Sequence, residues 1–309
     1  MKCLFCHNEA PSSLKVCKNC ARSEKALEVV EILHPKVGSY IRSCKLCSNE
    51  CKSLALCGKP RYGNLIYYED PLPTNCCNSW FCKGSDLKGT NLAVFYYGCN
   101  FDCLFCQNWS HKNVNIFYVS LSELVEAVKN PRVKCVCHFG GSPEPQLPFA
   151  IKFSRKAIEV RKDLMICWEW NGAGNSSLAF KAAELSYVSG GTVKFDLKAW
   201  NEFLHILLTG RSPERVRKNF ENIGKKFPEV LSATTLLVPY YVDEKEVEKI
   251  AEFIASVDPK IPYSLLVFHP DYKLRDLPIT PKEQVLECYK AAKKHLEKVN
   301  VGNLHLLGI

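Results

Sequence analysis

The chain has 309 residues, 41 lysines and arginines against 32 aspartates and glutamates, a net charge of +9, and 47% hydrophobic with 24% charged residues. That length holds one large domain with a small appendage, and the composition is that of a folded protein rather than a disordered one. The start carries no apolar stretch of signal-peptide length and no run nears the roughly eighteen apolar residues of a membrane span, so a cytoplasmic protein with no membrane partner is expected. The positive charge is scattered, and its densest stretch, Arg211 to Lys218, reads as a solvated helix face, which makes nucleic acid a poor partner.

Eighteen cysteines carry most of the remaining signal, eleven of them before residue 83. Without a secretion signal, thiols at short spacings point to metals rather than to a disulfide framework. Cys3-x2-Cys6 and Cys17-x2-Cys20 make a first, zinc-ribbon-like unit over residues 1–35. Two such pairs fit a tetrahedral four-thiolate zinc site, with iron in the same geometry as the alternative. A helix is expected from Ser23 to Leu33, ended by the hinge sequence His34 to Ser39.

Residues 36–88 form a second cysteine-rich segment, rich in proline, glycine and asparagine and poor in periodicity, with Cys44, Cys47, Cys51 and Cys57, then Cys76, Cys77 and Cys82. So little regular structure implies ordering by a metal or by close docking. Cys44 to Cys57 suit zinc, an auxiliary iron–sulfur cluster or buried structural thiols, and spacing does not choose among them.

From residue 89 to 309 short apolar runs alternate with amphipathic helices, the pattern of strand-helix units around a parallel sheet. Six strands are expected: Leu92–Tyr97, Val133–Phe139, Leu164–Trp170, Thr192–Leu197, Val230–Val238 and Tyr263–Phe268. Periodicity does not say whether the sheet closes. Cys135, Cys137, Cys167 and Cys288 read as small hydrophobes in this core.

In such proteins ligands bind at the carboxyl ends of the strands. After the first strand comes Gly98-Cys99-Asn100-Phe101-Asp102-Cys103-Leu104-Phe105-Cys106-Gln107-Asn108-Trp109. Three thiols are one short of the four ligands of a cubane cluster, leaving either a distant fourth cysteine or one iron open to a substrate. A zinc knuckle or three unrelated buried thiols is the plainer alternative. Gly140-Gly141 follows the second strand and permits close backbone approach. Asn171 follows the third strand, Asp196 and Lys198 sit two apart at the end of the fourth, and His269 follows the sixth. A carboxylate and an ammonium on one face suit a zwitterion, though an ordinary ion pair has the same appearance.

The cysteine loop, with Phe105 as its aromatic, resembles the cluster loop of the radical S-adenosylmethionine superfamily. Asp196-Leu197-Lys198 and His269 resemble motifs of its branch containing the pyruvate formate-lyase activating enzymes. Cys44 to Cys57, Gly98-Cys99-Asn100, Cys106-Gln107-Asn108-Trp109, Phe268-His269-Pro270-Asp271-Tyr272 and Val301-Gly302-Asn303 bring the chain nearest to the radical enzyme of the AmmeMemoRadiSam system. Two departures stand out: the usual Gly-Gly-Asp-Pro-Thr-Pro reads Gly-Gly-Ser-Pro-Glu-Pro at 140–145, and residues 1–35 look like an addition.

The resemblance implies a partial (β/α)6 barrel. It implies a [4Fe-4S] cluster on Cys99, Cys103 and Cys106, with S-adenosylmethionine on the fourth iron. By the same resemblance the cofactor would be contacted by Gly140, Gly141, Asn171, Asp196, Lys198 and His269. A ferredoxin- or flavodoxin-type reductant would drive cleavage to a 5′-deoxyadenosyl radical, which takes hydrogen from a protein, as in glycyl-radical activation, or from a small molecule. Two other classes compete: an iron–sulfur electron carrier or redox sensor with four cysteines per cluster and no cleavage, and a zinc-ribbon module whose nucleic-acid affinity would fall steeply with salt.

Overall fold

The computed structural model describes residues 1–36, 38–57, 63–74, 76–112 and 117–308. Val37, in the expected hinge, lies outside them. A 3₁₀ turn at Glu24–Ala26 leads into α1 (Leu27–Leu33), so the expected first helix is split. A two-residue pair, β1 (Ser39–Tyr40) and β2 (Leu54–Ala55), follows. Then come β3 (Leu65–Pro71), β4 (Thr90–Tyr96), α2 (Leu121–Ala127), β5 (Val133–Gly140), α3 (Leu147–Val160) and β6 (Met165–Trp170). The chain continues through α4 (Ser176–Ser189), β7 (Val193–Asp196), α5 (Glu202–Thr209), α6 (Glu214–Gly224) and β8 (Leu231–Leu237). It closes with α7 (Glu244–Val257), β9 (Tyr263–Val267), α8 (Lys282–Lys293) and β10 (Val299–Gly302).

The sheet has eight strands in the order β10-β9-β8-β7-β6-β5-β4-β3, parallel from β4 to β10, with β3 antiparallel at one edge. The six expected strands are β4 to β9, found in that sequence order. Two more flank them. β3 ends in Glu69-Asp70-Pro71, a polar stretch and a proline that only an edge strand accommodates, and β10 is four residues long; neither shows a clear period. β3 and β10 are not paired with each other, so the curved sheet is a partial barrel.

Alternation along each strand separates two faces. Val94, Tyr96, Val136, Ile166, Trp168 and Phe195 are buried against the helices, each contributing on the order of 1.5–3 kcal/mol if fully removed from water. His138 shares this face: its ring stacks on Trp168 at 4.1 Å, and its nitrogens pair with Tyr96 Oη and Ser154 Oγ, both at 2.8 Å. The other face looks into the barrel. Helices start on side-chain caps, Asn175 for α4, Asn201 for α5 and Asp243 for α7.

The first unit lies across the strand-end loops. Arg22 pairs with Asp243 at 2.7 Å, Tyr241 Oη donates to Val16 O at 2.6 Å, and Ser12 Oγ donates to Asp276 at 2.8 Å. Among the described residues, no helix is long and apolar enough to cross a membrane.

Candidate functional site

The polypeptide leaving β4 turns at Gly98, with φ +79°, into the three-cysteine loop. Backbone bonds pin that loop to α5 and to the segment after β9: Asp102 N–H to Thr209 O at 2.9 Å, Leu104 N–H to Leu208 O at 3.0 Å, and Lys273 N–H to Leu104 O at 3.0 Å. Asp102, between the first two thiols, accepts from His34 Nδ1 at 2.9 Å and Lys112 Nζ at 2.6 Å, with Lys273 at 3.7 Å. Burial would raise the Asp102 carboxyl, but His34 and Lys112 outweigh it and hold it at about 2.

Cys99, Cys103 and Cys106 line one cavity of about 550 Å³, together with Gly140, Gly141, Asn171, Asp196 and Lys198. Eight of the nine expected contacts therefore meet in a single space. Burial and the adjoining thiols push Cys99 well up, and burial lifts Cys106 to about 11 against the pull of Lys112. Such a donor set ionises only when positive charge arrives, as metal provides. The sulfurs of Cys3, Cys6, Cys17 and Cys20 all lie within 4.8 Å of one another, whereas the three loop sulfurs are not so gathered. One zinc ion needs sulfurs about 3.8 Å apart; the wider loop fits a polynuclear cluster.

Gly140, at φ +99°, is required by packing: a Cβ there would fall 2.6 Å from Phe95 Cα, and one on Gly141 would fall 2.7 Å from Tyr96 O. Gly141 N–H is spent on Tyr96 O at 2.9 Å. Asn171 Nδ2 donates to Asn100 Oδ1 at 2.7 Å and to Ser142 Oγ at 3.1 Å. Behind it the fully buried Glu144 accepts from Gly172 N–H at 2.7 Å and from the Ser142 hydroxyl. Burial outweighs these bonds and lifts its carboxyl to about 7. Asp196 lies between two ammonium groups, Lys194 at 2.8 Å and Lys198 at 2.9 Å. Burial would raise Asp196, but the two lysines hold it far below the usual carboxylate range.

His269 is the exception. β9 ends at Val267, the Phe268 N–H is held by Thr280 Oγ1 at 2.8 Å, and the chain carries His269 to an exposed position outside the cavity lining. The Cys44 to Cys57 segment docks beside the site through Cys47 pairing with Gly174, Ser48 N–H to Ala173 O at 2.8 Å, and Asn49 Nδ2 to Asn100 O at 3.2 Å. Cys47 is buried within electrostatic reach of Cys44, Cys51 and Cys57, while no three of these sulfurs form a single-ion set among the described residues. Lys194 and the His34–Asp102 pair went unnoticed in the sequence, and Glu144 stood out only as a departure from the resembled motif, with no role assigned. Lys194, two residues before Asp196 on one strand face, had a readable signal; the other two depend on contacts across 28 and 68 residues.

The sequence profile of the Radical SAM superfamily matches residues 93–254. A Methanocaldococcus jannaschii protein named as a glycyl-radical enzyme activating enzyme is 26% identical over 68% of this chain and 79% of its own. A pyruvate formate-lyase-activating enzyme of Staphylococcus aureus is 26% identical over 66% of this chain and 89% of its own. Among solved structures, Streptococcus suis SuiB bound to S-adenosylmethionine shares the fold at a TM-score of 0.54 and 15% identity, over 70% of this chain and 51% of that one. With the profile spanning just over half of its length and the three-cysteine loop inside the match, this chain belongs to the radical SAM superfamily.

Proposed function

We propose that this radical SAM enzyme removes hydrogen from a protein, as a glycyl-radical activating enzyme does, with a small molecule as the second substrate class. The observation that carries the reading is the convergence of Cys99, Cys103 and Cys106 with Gly140-Gly141 and Asp196–Lys198 on one cavity. Relatives named as activating enzymes favour the protein substrate. Bound there, the [4Fe-4S] cluster with S-adenosylmethionine supplies a 5′-deoxyadenosyl radical on one-electron reduction by a ferredoxin- or flavodoxin-type donor.

The chain's own residues bind and orient. Cys99, Cys103 and Cys106 hold three irons. Because Gly141's amide is committed to Tyr96, the Gly140-Gly141 turn meets the methionyl amine through carbonyl oxygen. Lys198 balances the methionyl carboxylate, Asp196 fixes Lys198 and engages the same end of the cofactor, and Asn171 reaches ribose or carboxylate. His269 has no part in this set. The four N-terminal thiols hold zinc, Cys44 to Cys57 hold an auxiliary cluster at the cavity's side, and the protein works in the cytoplasm. The divisions at residues 35 and 88 belong to the same reading, with β3 joining the middle segment to the sheet. The nearer likeness to the AmmeMemoRadiSam enzyme rests on the sequence motifs.

The test is anaerobic reconstitution with iron and sulfide, reduction with dithionite, and chromatography for 5′-deoxyadenosine. Wild-type protein is expected to form it and Cys103→Ala to form none. A well-loaded, reducible cluster that yields no 5′-deoxyadenosine would return the protein to the electron-carrier class.

A further inference from the structure

Away from the strand-end rim, the inner face of the barrel carries thiols where aliphatic side chains usually fill the space. Cys135 and Cys137 of β5 and Cys167 of β6, expected to pack as small hydrophobes, are buried, and they also lie within electrostatic reach of Cys76 and Cys82 on the segment after β3. That segment is fastened at the opposite end of the sheet: Asn78 Oδ1 accepts from Ser232 Oγ at 3.1 Å, Trp80 Nε1 donates to Ser264 Oγ at 2.9 Å, and Ser264 Oγ donates to Cys77 O at 3.0 Å. Cys76 and Cys77 are thereby placed on the floor of the cavity, against Glu169.

The contacts on Glu169 are not those of apolar packing. Cys76 Sγ lies 2.6 Å and Cys137 Sγ 3.6 Å from its Oε1, and Cys77 Sγ lies 3.9 Å from its Oε2. The ligand atoms of Cys76, Cys77 and Glu169 are all within 4.8 Å of one another, a convergence shared among the described residues only with the four N-terminal thiols. Lys194 Nζ stands 3.5 Å from Glu169 Oε2. Two thiolates, the carboxylates of Glu169 and Asp196, one divalent ion and the ammonium groups of Lys194 and Lys198 sum to zero charge.

We propose that Cys76, Cys77 and Glu169 hold a soft divalent cation of the zinc class on the cavity floor, with Cys137 the thiol nearest its fourth position. Two sulfurs and a carboxylate oxygen select zinc over magnesium or calcium. The ligand atoms are gathered as for one ion, unlike those of the Cys99 to Cys106 loop. A disulfide is a poor use of these thiols, because adjacent residues have Cα atoms about 3.8 Å apart, short of the unstrained range.

The experiment uses full-length Cys17→Ser/Cys20→Ser protein, purified anaerobically and exchanged into zinc, with zinc and iron counted by mass spectrometry. One zinc per chain is expected to remain. Adding Glu169→Gln, which keeps hydrogen bonding but removes charge, or Cys76→Ser/Cys77→Ser should weaken zinc retention against a chelator roughly tenfold or more, with iron and circular dichroism unchanged. Zinc retained equally by these variants, or iron lost in place of zinc, overturns the proposal. X-ray absorption at the zinc edge should show a mixed sulfur and oxygen shell; four sulfurs would remove Glu169 from the site. These readouts do not depend on radical chemistry being found.

Discussion

At the scale of single residues, Glu144 is the least anticipated feature of the site. It stands where the resembled motif has threonine, fully buried, with its carboxyl lifted to about 7 by loss of water. A raised native pKa means that the folded protein binds the proton more tightly than the unfolded chain between about 4.5 and 7. Stability from this group is therefore complete below the unfolded value and lost as pH rises through 7. Glu144→Gln should remove that dependence. Urea midpoints of both proteins across pH are expected to show the variant gaining about 3 kcal/mol relative to wild type between pH 4.5 and 8; a constant difference would contradict the assignment. The three cysteines of the loop were readable because their spacing is local. The setting of Glu144 was not, because the Gly172 N–H that its carboxylate meets arrives from another strand end.

At the scale of elements, the three-cysteine loop is a strap held from outside the sheet. Asp102 joins it to His34 behind α1 and to Lys112 and Lys273, and Lys273 Nζ also donates to Leu33 O at 2.7 Å. His34 is 3% exposed in its side chain, so losing its partner leaves a buried polar ring half satisfied. Asp102→Ala is expected to cost about 2 kcal/mol of stability and to speed iron loss to a chelator while all three thiols remain. Unchanged melting and unchanged iron retention would show that the strap is not needed. Six strands were legible because apolar runs recur between amphipathic helices. β3 and β10 were not, because an edge strand needs no buried alternation and one of them is only four residues long. Closure was equally hidden, since it depends on whether β3 meets β10.

At the scale of the whole molecule, the first unit braces loops from four strand ends: Asp102 after β4, Asn201 after β7, Tyr241 and Asp243 after β8, and Asp276 after β9. Its zinc-like spacing was plain in the sequence, while its docking was not, for no local pattern encodes contacts to loops so distant. Removing two of its four gathered thiols should therefore be felt at the site. Cys17→Ser/Cys20→Ser is expected to lower the melting temperature by several degrees, an effect of a few kcal/mol, and to raise hydrogen exchange in the loop from Gly98 to Cys106. Exchange unchanged there would mean that the unit is merely appended. The bond from Ser12 to Asp276 crosses 264 residues. A ribosome releases Ser12 long before Asp276 exists, so the first unit waits for its docking loops until the barrel that follows it is made. Until then its thiols stand exposed to whatever metal the nascent chain meets.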